Sequence, residues 1–267
     1  MQIEGKRILL TGAAGGIGAE VARQLATRGG RLALVDRNAQ ALADLSDALG
    51  AGGARAVPVP ADLLDPAGRE EAVRRSLASL GGIDILVNGA GLQSFRAVAD
   101  ETPAMLERVL QLNLLAPVLI TRAVLPDLLR AGAGRIVNLG STFGSIGFAY
   151  FAAYSASKFG LRGFSEALRR ELEGSGVGVT YVAPRAARTR LNTGPIYRMA
   201  EAVKMRMDDP QWVAERIVEA IERDRKDVYL GWPESLFVRL NAVLPRLVDG
   251  ALRKQNQIMA RFAAEVE

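Results

Sequence analysis

Residues 7–18 read RILLTGAAGGIG, and the passage from an aliphatic run into spaced glycines decides the fold. Arg7–Leu10 has the make-up of a short buried strand, and the stretch after Gly18 returns to helical spacing. Gly12 suits a tight turn, Gly16 lets the backbone approach a pyrophosphate closely, and Gly18, next to Ile17, permits close helix packing. The helix start that follows favours negative charge. The spacing is TGxxxGxG rather than GxGxxG. A bland glycine turn is the competing reading of the octapeptide seen alone.

Outward from this loop, short apolar runs alternate with amphipathic helical stretches as far as Pro184, the pattern of repeated βα units on a parallel sheet. RILL near Arg7, RLALVD ending at Asp36, ARAVPVP before Asp62, IDILVN ending at Asn88, RIVNLG before Ser141 and GVTYVAP ending at Pro184 read as strands, with DVYLG near Tyr229 as a seventh. The expected fold class is α/β, a Rossmann-like doubly wound parallel sheet with helices on both faces. Residues 1–232 are expected to form the catalytic domain. Within it, residues 185–209 lose the alternation and are expected to form a long connection, either a substrate lid or a surface loop. Residues 233–267 are expected to be a C-terminal amphipathic helical extension of the same domain.

Composition narrows the chemistry. The 267 residues contain no cysteine and no histidine, which excludes disulfides, thiol nucleophiles, Ser-His-Asp hydrolysis and ordinary zinc sites. No metal is expected. The net charge is +5, but the basic residues are spread along the chain, so a solvated surface is favoured over a nucleic-acid face. The N-terminus MQIEGKRILLTG lacks the apolar core of a signal peptide, and a cytoplasmic location is expected.

Tyr154 and Lys158 lie four residues apart in YSASK, thirteen residues beyond Ser141. One helical turn puts the phenol and the ammonium on the same face, where the charge favours the phenolate. Such a pair arises by chance in about one chain in ten of this composition, so the context must carry the reading. Bringing a tyrosine from its ordinary pKa of about 10 toward neutrality takes about 4 kcal/mol, for which Lys158 and a positive nicotinamide ring are the obvious sources. Ser141, at the carboxyl end of a parallel strand, can hold a carbonyl or alcohol oxygen against Tyr154, and Asn113 can link Lys158 to solvent through water. Separately, each has a bland alternative: a strand-end turn for Ser141, a satisfied helix amide for Asn113, a surface cation for Lys158. Asp36 closes the second strand where a carboxylate can accept hydrogen bonds from a ribose and repel a 2′-phosphate, or cap the next helix. Arg37 beside it suits a 2′-phosphate, so NAD is favoured with NADP as the alternative.

TGAAGGIG, Asp62 in ADLLD, VNGAG at 87–91, Asn113 in LQLNLL, Ser141 in NLGSTFG, YSASK at 154–158 and APRAART at 183–189 together resemble the short-chain dehydrogenase/reductase superfamily over residues 5 to 230. The resemblance implies sheet order 3-2-1-4-5-6-7, hydride transfer through a nicotinamide, and Asn113, Ser141, Tyr154 and Lys158 as the catalytic set. It further implies Asp62 and the adjoining Leu63 at the adenine, Asn88 and Ala90 lining the cofactor cleft, and Pro184 and Thr189 near the nicotinamide. Two departures stand out: Asn88-Gly89 where the family often has two asparagines, and Arg185 where a glycine usually follows the proline. Arg185 is expected beside the nicotinamide pocket, narrowing it, altering the cofactor pose or offering a cation to an acidic substrate.

Gln93, Ser94, Phe95, Phe143, Phe148 and Tyr150 come from loops expected around the cleft; they suggest a mostly apolar substrate, or a packed core wall. In the tail, Leu236, Leu240, Val243, Leu244, Leu247 and Val248 form a helical stripe that is expected to pack on the chain's own core or lid, with a partner subunit or a membrane surface as less favoured alternatives. The function expected is an NAD(P)-dependent oxidoreductase interconverting a secondary alcohol and a ketone on a small lipophilic molecule. A 3-oxoacyl reductase for carrier- or CoA-linked groups and a catalytically silent nucleotide-sensing module are the alternatives. A homodimer or homotetramer is expected through the apolar faces of residues 102–131 and 151–173.

Overall fold

Alternate residues of the same strands bury their side chains on opposite sides of one sheet, as extended backbone requires. Ile8 and Leu10 of β1 (Arg7–Thr11) join one apolar cluster and Leu9 the other. The computed structural model describes residues 1–192 and 194–266. Its sheet has the remaining strands β2 (Arg31–Asp36), β3 (Ala56–Pro60), β4 (Ile85–Asn88), β5 (Gly134–Leu139), β6 (Val177–Ala183) and β7 (Asp227–Tyr229). All pair in parallel, in the order β3-β2-β1-β4-β5-β6-β7. That is the order implied by the resemblance.

One face carries α1 (Gly16–Thr27), α2 (Ala39–Ala51) and α8 (Pro210–Glu222), whose Val21, Leu25, Leu42 and Ile217 meet Ile8, Leu34 and Val87. The other carries α3 (Pro66–Leu80), α5 (Ala116–Ala131) and α6 (Ala152–Glu171), whose Val73, Ile120, Val124 and Leu168 meet Leu9, Val35 and Ile136. The helix starts follow local chemistry. Asp65, Thr102 and Asp209 each accept a backbone N–H of the following turn, and each is followed by a proline, which needs no partner there.

α4 (Pro103–Leu110) runs into α5 through a wider-wound turn at Gln111–Leu115. The run Pro103–Ala131 is long and apolar enough to cross a membrane by length and composition, but Ala116, Ile120, Val124 and Leu128 on one side of it pack against the sheet. Its other consequence is local: the wide turn carries Asn113 into the interior.

The connection after β6 is more ordered than its sequence suggests. α7 (Gly194–Ala202) lies within it and buries Ile196, Met199 and Ala200, an i, i+3, i+4 pattern that Gly194 and Pro195 obscure at its start. The tail forms two helices, α9 (Glu234–Val243) and α10 (Pro245–Ala263), and it corrects the expected stripe. Val248 is buried and Leu240 partly so, but Leu236, Val243, Leu244 and Leu247 face solvent. A bend at Leu244, before Pro245, interrupts the single helical periodicity on which the stripe depended. The side chains that dock on the body are instead Val238 and Val248, and, further along α10, Met259 and Ala263.

Candidate active site

The carboxyl ends of β1, β2, β4, β5 and β6 converge on one rim, where open parallel sheets bind ligands. A cleft of about 490 Å³ opens there, lined by Gly12, Gly16, Ile17, Gly18, Asp36, Arg37, Asp62, Leu63, Ala90 and Thr189 among others. Gly12 has φ of +71°, the left-handed conformation the turn needs. Gly18 serves differently from expectation: a Cβ there would collide with the carbonyl oxygen of Gly12, so its small size closes the loop upon itself. Asp36 is held by two backbone donors, Oδ2 accepting from Ala14 N at 3.2 Å and Oδ1 from Asn38 N at 3.1 Å. The helix-capping reading of Asp36 gives way, because Asn38 caps α2 by accepting from Ala41 N. A rim of backbone amides at a helix start, a carboxylate at the end of β2 and an apolar wall at Leu63 together suit a dinucleotide.

Asn88 departs from expectation. Its side chain is buried away from the cleft, donating to Asn138 Oδ1 at 2.8 Å and Thr121 Oγ1 at 3.2 Å. Asn138 in turn donates to Ser165 Oγ at 2.8 Å. This polar chain ties β4, β5, α5 and α6 together behind the site, and its signal was an asparagine in register on each of two neighbouring apolar strands. Pro184 is buried at the end of β6, and its carbonyl accepts from Thr142 N at 3.0 Å.

Ser141 follows β5 and Gly140 and begins a short turn, accepting from Phe143 N at 3.1 Å. Its backbone is propped by Tyr181, whose hydroxyl accepts from Ser141 N at 3.4 Å and donates to Ser141 O at 3.3 Å. A Cβ on Gly140 would run into the Tyr181 ring, so the glycine makes the seat for that prop. Neither Gly140 nor Tyr181 is singled out by motif reading, since a tyrosine within an apolar strand reads as core.

Tyr154 and Lys158 project from the same side of α6, with Lys158 Nζ 5.8 Å from the Tyr154 ring centre and donating to Leu139 O at 2.8 Å. Both are buried. Burial pushes the Tyr154 phenol up to about 12, against the opposing pull of a hydrogen bond with Ser141, and pushes Lys158 down to about 8. Asn113 is spent on structure: Nδ2 donates to Leu92 O at 2.8 Å and Ser157 Oγ at 3.0 Å, and Oδ1 accepts from Leu92 N at 2.9 Å. The amide is thereby committed to the β4 loop and α6. Ser157, which also donates to Tyr154 O at 2.7 Å, is a further member that motif reading passes over.

An apolar cover lies against Tyr154. Phe143 meets its ring edge-on at 5.9 Å and stacks on Phe148 at 4.3 Å; Phe95 stacks on Phe151 at 4.6 Å. Ile196 and Met199 of α7 and Met259 and Ala263 of α10 complete the cluster. Gln93 stands apart from these aromatics. Its Nε2 donates to Leu191 O at 3.1 Å and Asn192 Oδ1 at 2.9 Å, strapping the β4 loop to the segment after β6. Arg185 also departs from expectation, for its guanidinium is taken by Asp208 and Glu234 rather than offered to a ligand.

A glycine-rich dinucleotide cleft abutting a serine, tyrosine and lysine defines the class as nicotinamide-dependent oxidoreductases. The comparisons agree: residues 6–195 match the sequence profile of the short chain dehydrogenase family, and the chain belongs to that family. It is 33% identical to dehydrogenase/reductase SDR family member 7B of Bos taurus, over 94% of this chain and 82% of that protein. It is 34% identical to the ketoacyl reductase HetN of Nostoc sp., over 85% of this chain and 78% of that one. In fold it is similar to a short chain dehydrogenase/reductase from Burkholderia phymatum solved in complex with NAD, with a TM-score of 0.85 at 24% identity over 92% of this chain and 96% of that one.

Proposed function

We propose that the protein interconverts a secondary alcohol and a ketone on a small lipophilic molecule, with Tyr154 as general acid and base. The observation that carries this is the burial of Tyr154 between Ser141 and an apolar cover of Phe143, Phe148, Ile196, Met199 and Met259. A bound nicotinamide supplies the hydride donor or acceptor. The side chains of this protein supply the proton. With its pKa pushed up to about 12, Tyr154 rests as a neutral phenol at pH 7 and can donate to a carbonyl oxygen as that oxygen gains charge. Ser141 holds the oxygen, and Lys158, anchored on Leu139 O, holds a positive charge beside the phenol as it loses its proton. Asn113 is a positioning residue in this reading, fixing the β4 loop to α6.

NAD is the favoured cofactor. Asp36 carries the preference, because its carboxylate is fixed at the ribose end of the cleft by Ala14 N and Asn38 N, while Arg37 is exposed and NADP is the alternative. A 3-oxoacyl reductase is the second reading, favoured by a hollow of about 710 Å³ on the lid lined by Arg188 and Arg206, with Glu201 and an Arg198 already paired with Glu265, where the first two could meet an anionic carrier group. A homodimer or homotetramer in the cytoplasm completes the proposal, supported by exposed Leu110, Leu115, Leu129 and Phe159 on the helices expected to assemble. A panel of ketones and alcohols, assayed by nicotinamide absorbance with each cofactor, tests the activity. Turnover of lipophilic ketones supports it; turnover confined to acyl thioesters favours the second reading, and none with any substrate defeats both.

A further inference from the structure

Residues 242–247, AVLPRL, are all exposed where α9 turns into α10. Trp232 (66% exposed), Leu236, Phe237, Val243 (76%), Leu244 and Leu247 (62%) crowd this short stretch with large apolar surface. Helical spacing sets Leu236 and Val243, seven residues apart, on one side of α9, while Val238, on the far side of the same helix, is buried against the body. Large apolar side chains exposed together on one short stretch mark a candidate interaction site.

The charges beside it say what kind. Arg239, Arg246, Arg253 and Lys254 are exposed on the two helices. Of the acids in the same stretch, Glu234 is taken by Arg185, leaving Asp249 as the remaining one. We propose that the α9–α10 corner docks on an anionic lipid membrane, with Val243, Leu244 and Leu247 entering the headgroup boundary and the basic residues meeting lipid phosphates. Trp232, with an apolar ring and a polar N–H, suits the same depth. A two-fold contact between copies through this corner would bring two basic patches together, which an anionic lipid surface avoids.

The inner side of the corner leads to the site. Val238, Val248, Leu240 and Leu252 pack with Phe148, and Phe148 stacks on the Phe143 that touches Tyr154. Docking would therefore place the apolar cover next to the phase where a lipophilic substrate dissolves. That last link rests on the proposed substrate class; the docking does not.

The test is flotation of the full chain with vesicles of phosphatidylglycerol in phosphatidylcholine and with vesicles of phosphatidylcholine alone. The full chain is expected to float with the anionic vesicles and less with the neutral ones. V243E/L247E should lower flotation about tenfold or more, with unchanged melting temperature and solution mass, because both residues face solvent. R239Q/R246Q should lose the preference for anionic vesicles. Failure of the full chain to float, or equal flotation of V243E/L247E, overturns the proposal. A fall in solution mass for V243E/L247E also overturns it, since the corner would then join copies of this chain. None of these readouts uses catalysis, so they stand apart from failure of the proposed activity.

Discussion

Arg185 and Asp208 meet fork to fork, Nε to Oδ2 at 2.9 Å and Nη2 to Oδ1 at 2.7 Å, joining the end of β6 to the end of the connection that precedes α8. Glu234 at 3.0 Å and the carbonyl of Trp232 at 3.2 Å take Nη1, so one side chain also secures the start of the tail. Where relatives usually carry a glycine, this chain has a clamp.

Arg185→Ala should leave Asp208, largely buried, without its partner, a loss of about 3 kcal/mol. For a domain of this size that is roughly 6 to 12 °C of melting temperature. Arg185→Lys should recover only part of it, since an ammonium cannot form the fork. Thermal denaturation of the two variants checks this, and an unchanged melting temperature for Arg185→Ala would show that the clamp is idle.

The clamp also shows where sequence reading stops. The strands were legible because each aliphatic run lies between turn residues, whereas their order was legible only through the family resemblance that TGAAGGIG and YSASK carry. Arg185 was legible as a departure but its partners were not, for they lie 23 and 49 residues away, Asp208 in the irregular connection and Glu234 at the start of the tail. Asn88 was found as a residue and misjudged as a group, because motif position names an amide without saying where its hydrogen bonds go. Tyr181 and Gly140 are a pair whose meaning exists only across the β5–β6 register. In the tail, the bend at Leu244 turned one expected face into two.

Asp36→Ala should weaken NAD and improve NADP, shifting the ratio of kcat/KM values about tenfold or more toward NADP, since a fixed carboxylate no longer opposes a 2′-phosphate and Arg37 is free to meet it. Steady-state kinetics with both cofactors measures the ratio. No shift would confine Asp36 to its bonds with Ala14 N and Asn38 N.

Lys158 should make stability depend on pH in one direction. Its folded pKa is pushed down to about 8 from 10.5, so between these values the unfolded chain holds more protons than the folded one. Stability contributed at this site therefore rises with pH through that window, and the full burden of a buried ammonium is present below it. Lys158→Met removes the dependence. Its stability advantage over the wild type should be largest below pH 8 and shrink toward pH 10; a constant difference across the window would contradict the burial-driven shift.

Gly140→Ala should act through Tyr181. The added methyl group collides with the Tyr181 ring, whose hydroxyl brackets the Ser141 backbone, so the serine is displaced while the cofactor cleft is untouched. The expected result is a fall in kcat of about a hundredfold with cofactor affinity unchanged, in keeping with the sensitivity of catalysis to small misplacements. Tyr181→Phe, which removes the hydroxyl and keeps the ring, should lower kcat less. Equal cofactor affinity but undiminished kcat in Gly140→Ala would mean that Ser141 tolerates the displacement.

Met259 is the element of the tail that bears on Tyr154. It is wholly buried on α10, in the same cluster as Tyr154, Phe95, Phe151 and Met199, and it stands 105 residues along the chain from the tyrosine. Met259→Ala should lower stability by about 2 to 4 kcal/mol through the lost side chain and the cavity left behind. That cavity lies in the cover beside the phenol, so kcat/KM for bulky ketones should rise relative to small ones, while Tyr154→Phe in the same background abolishes turnover of both. The melting temperature and a size series of ketones check the two halves separately. Loss of stability without any change in size preference would make α10 a brace for the fold and leave the selection of substrates to α7.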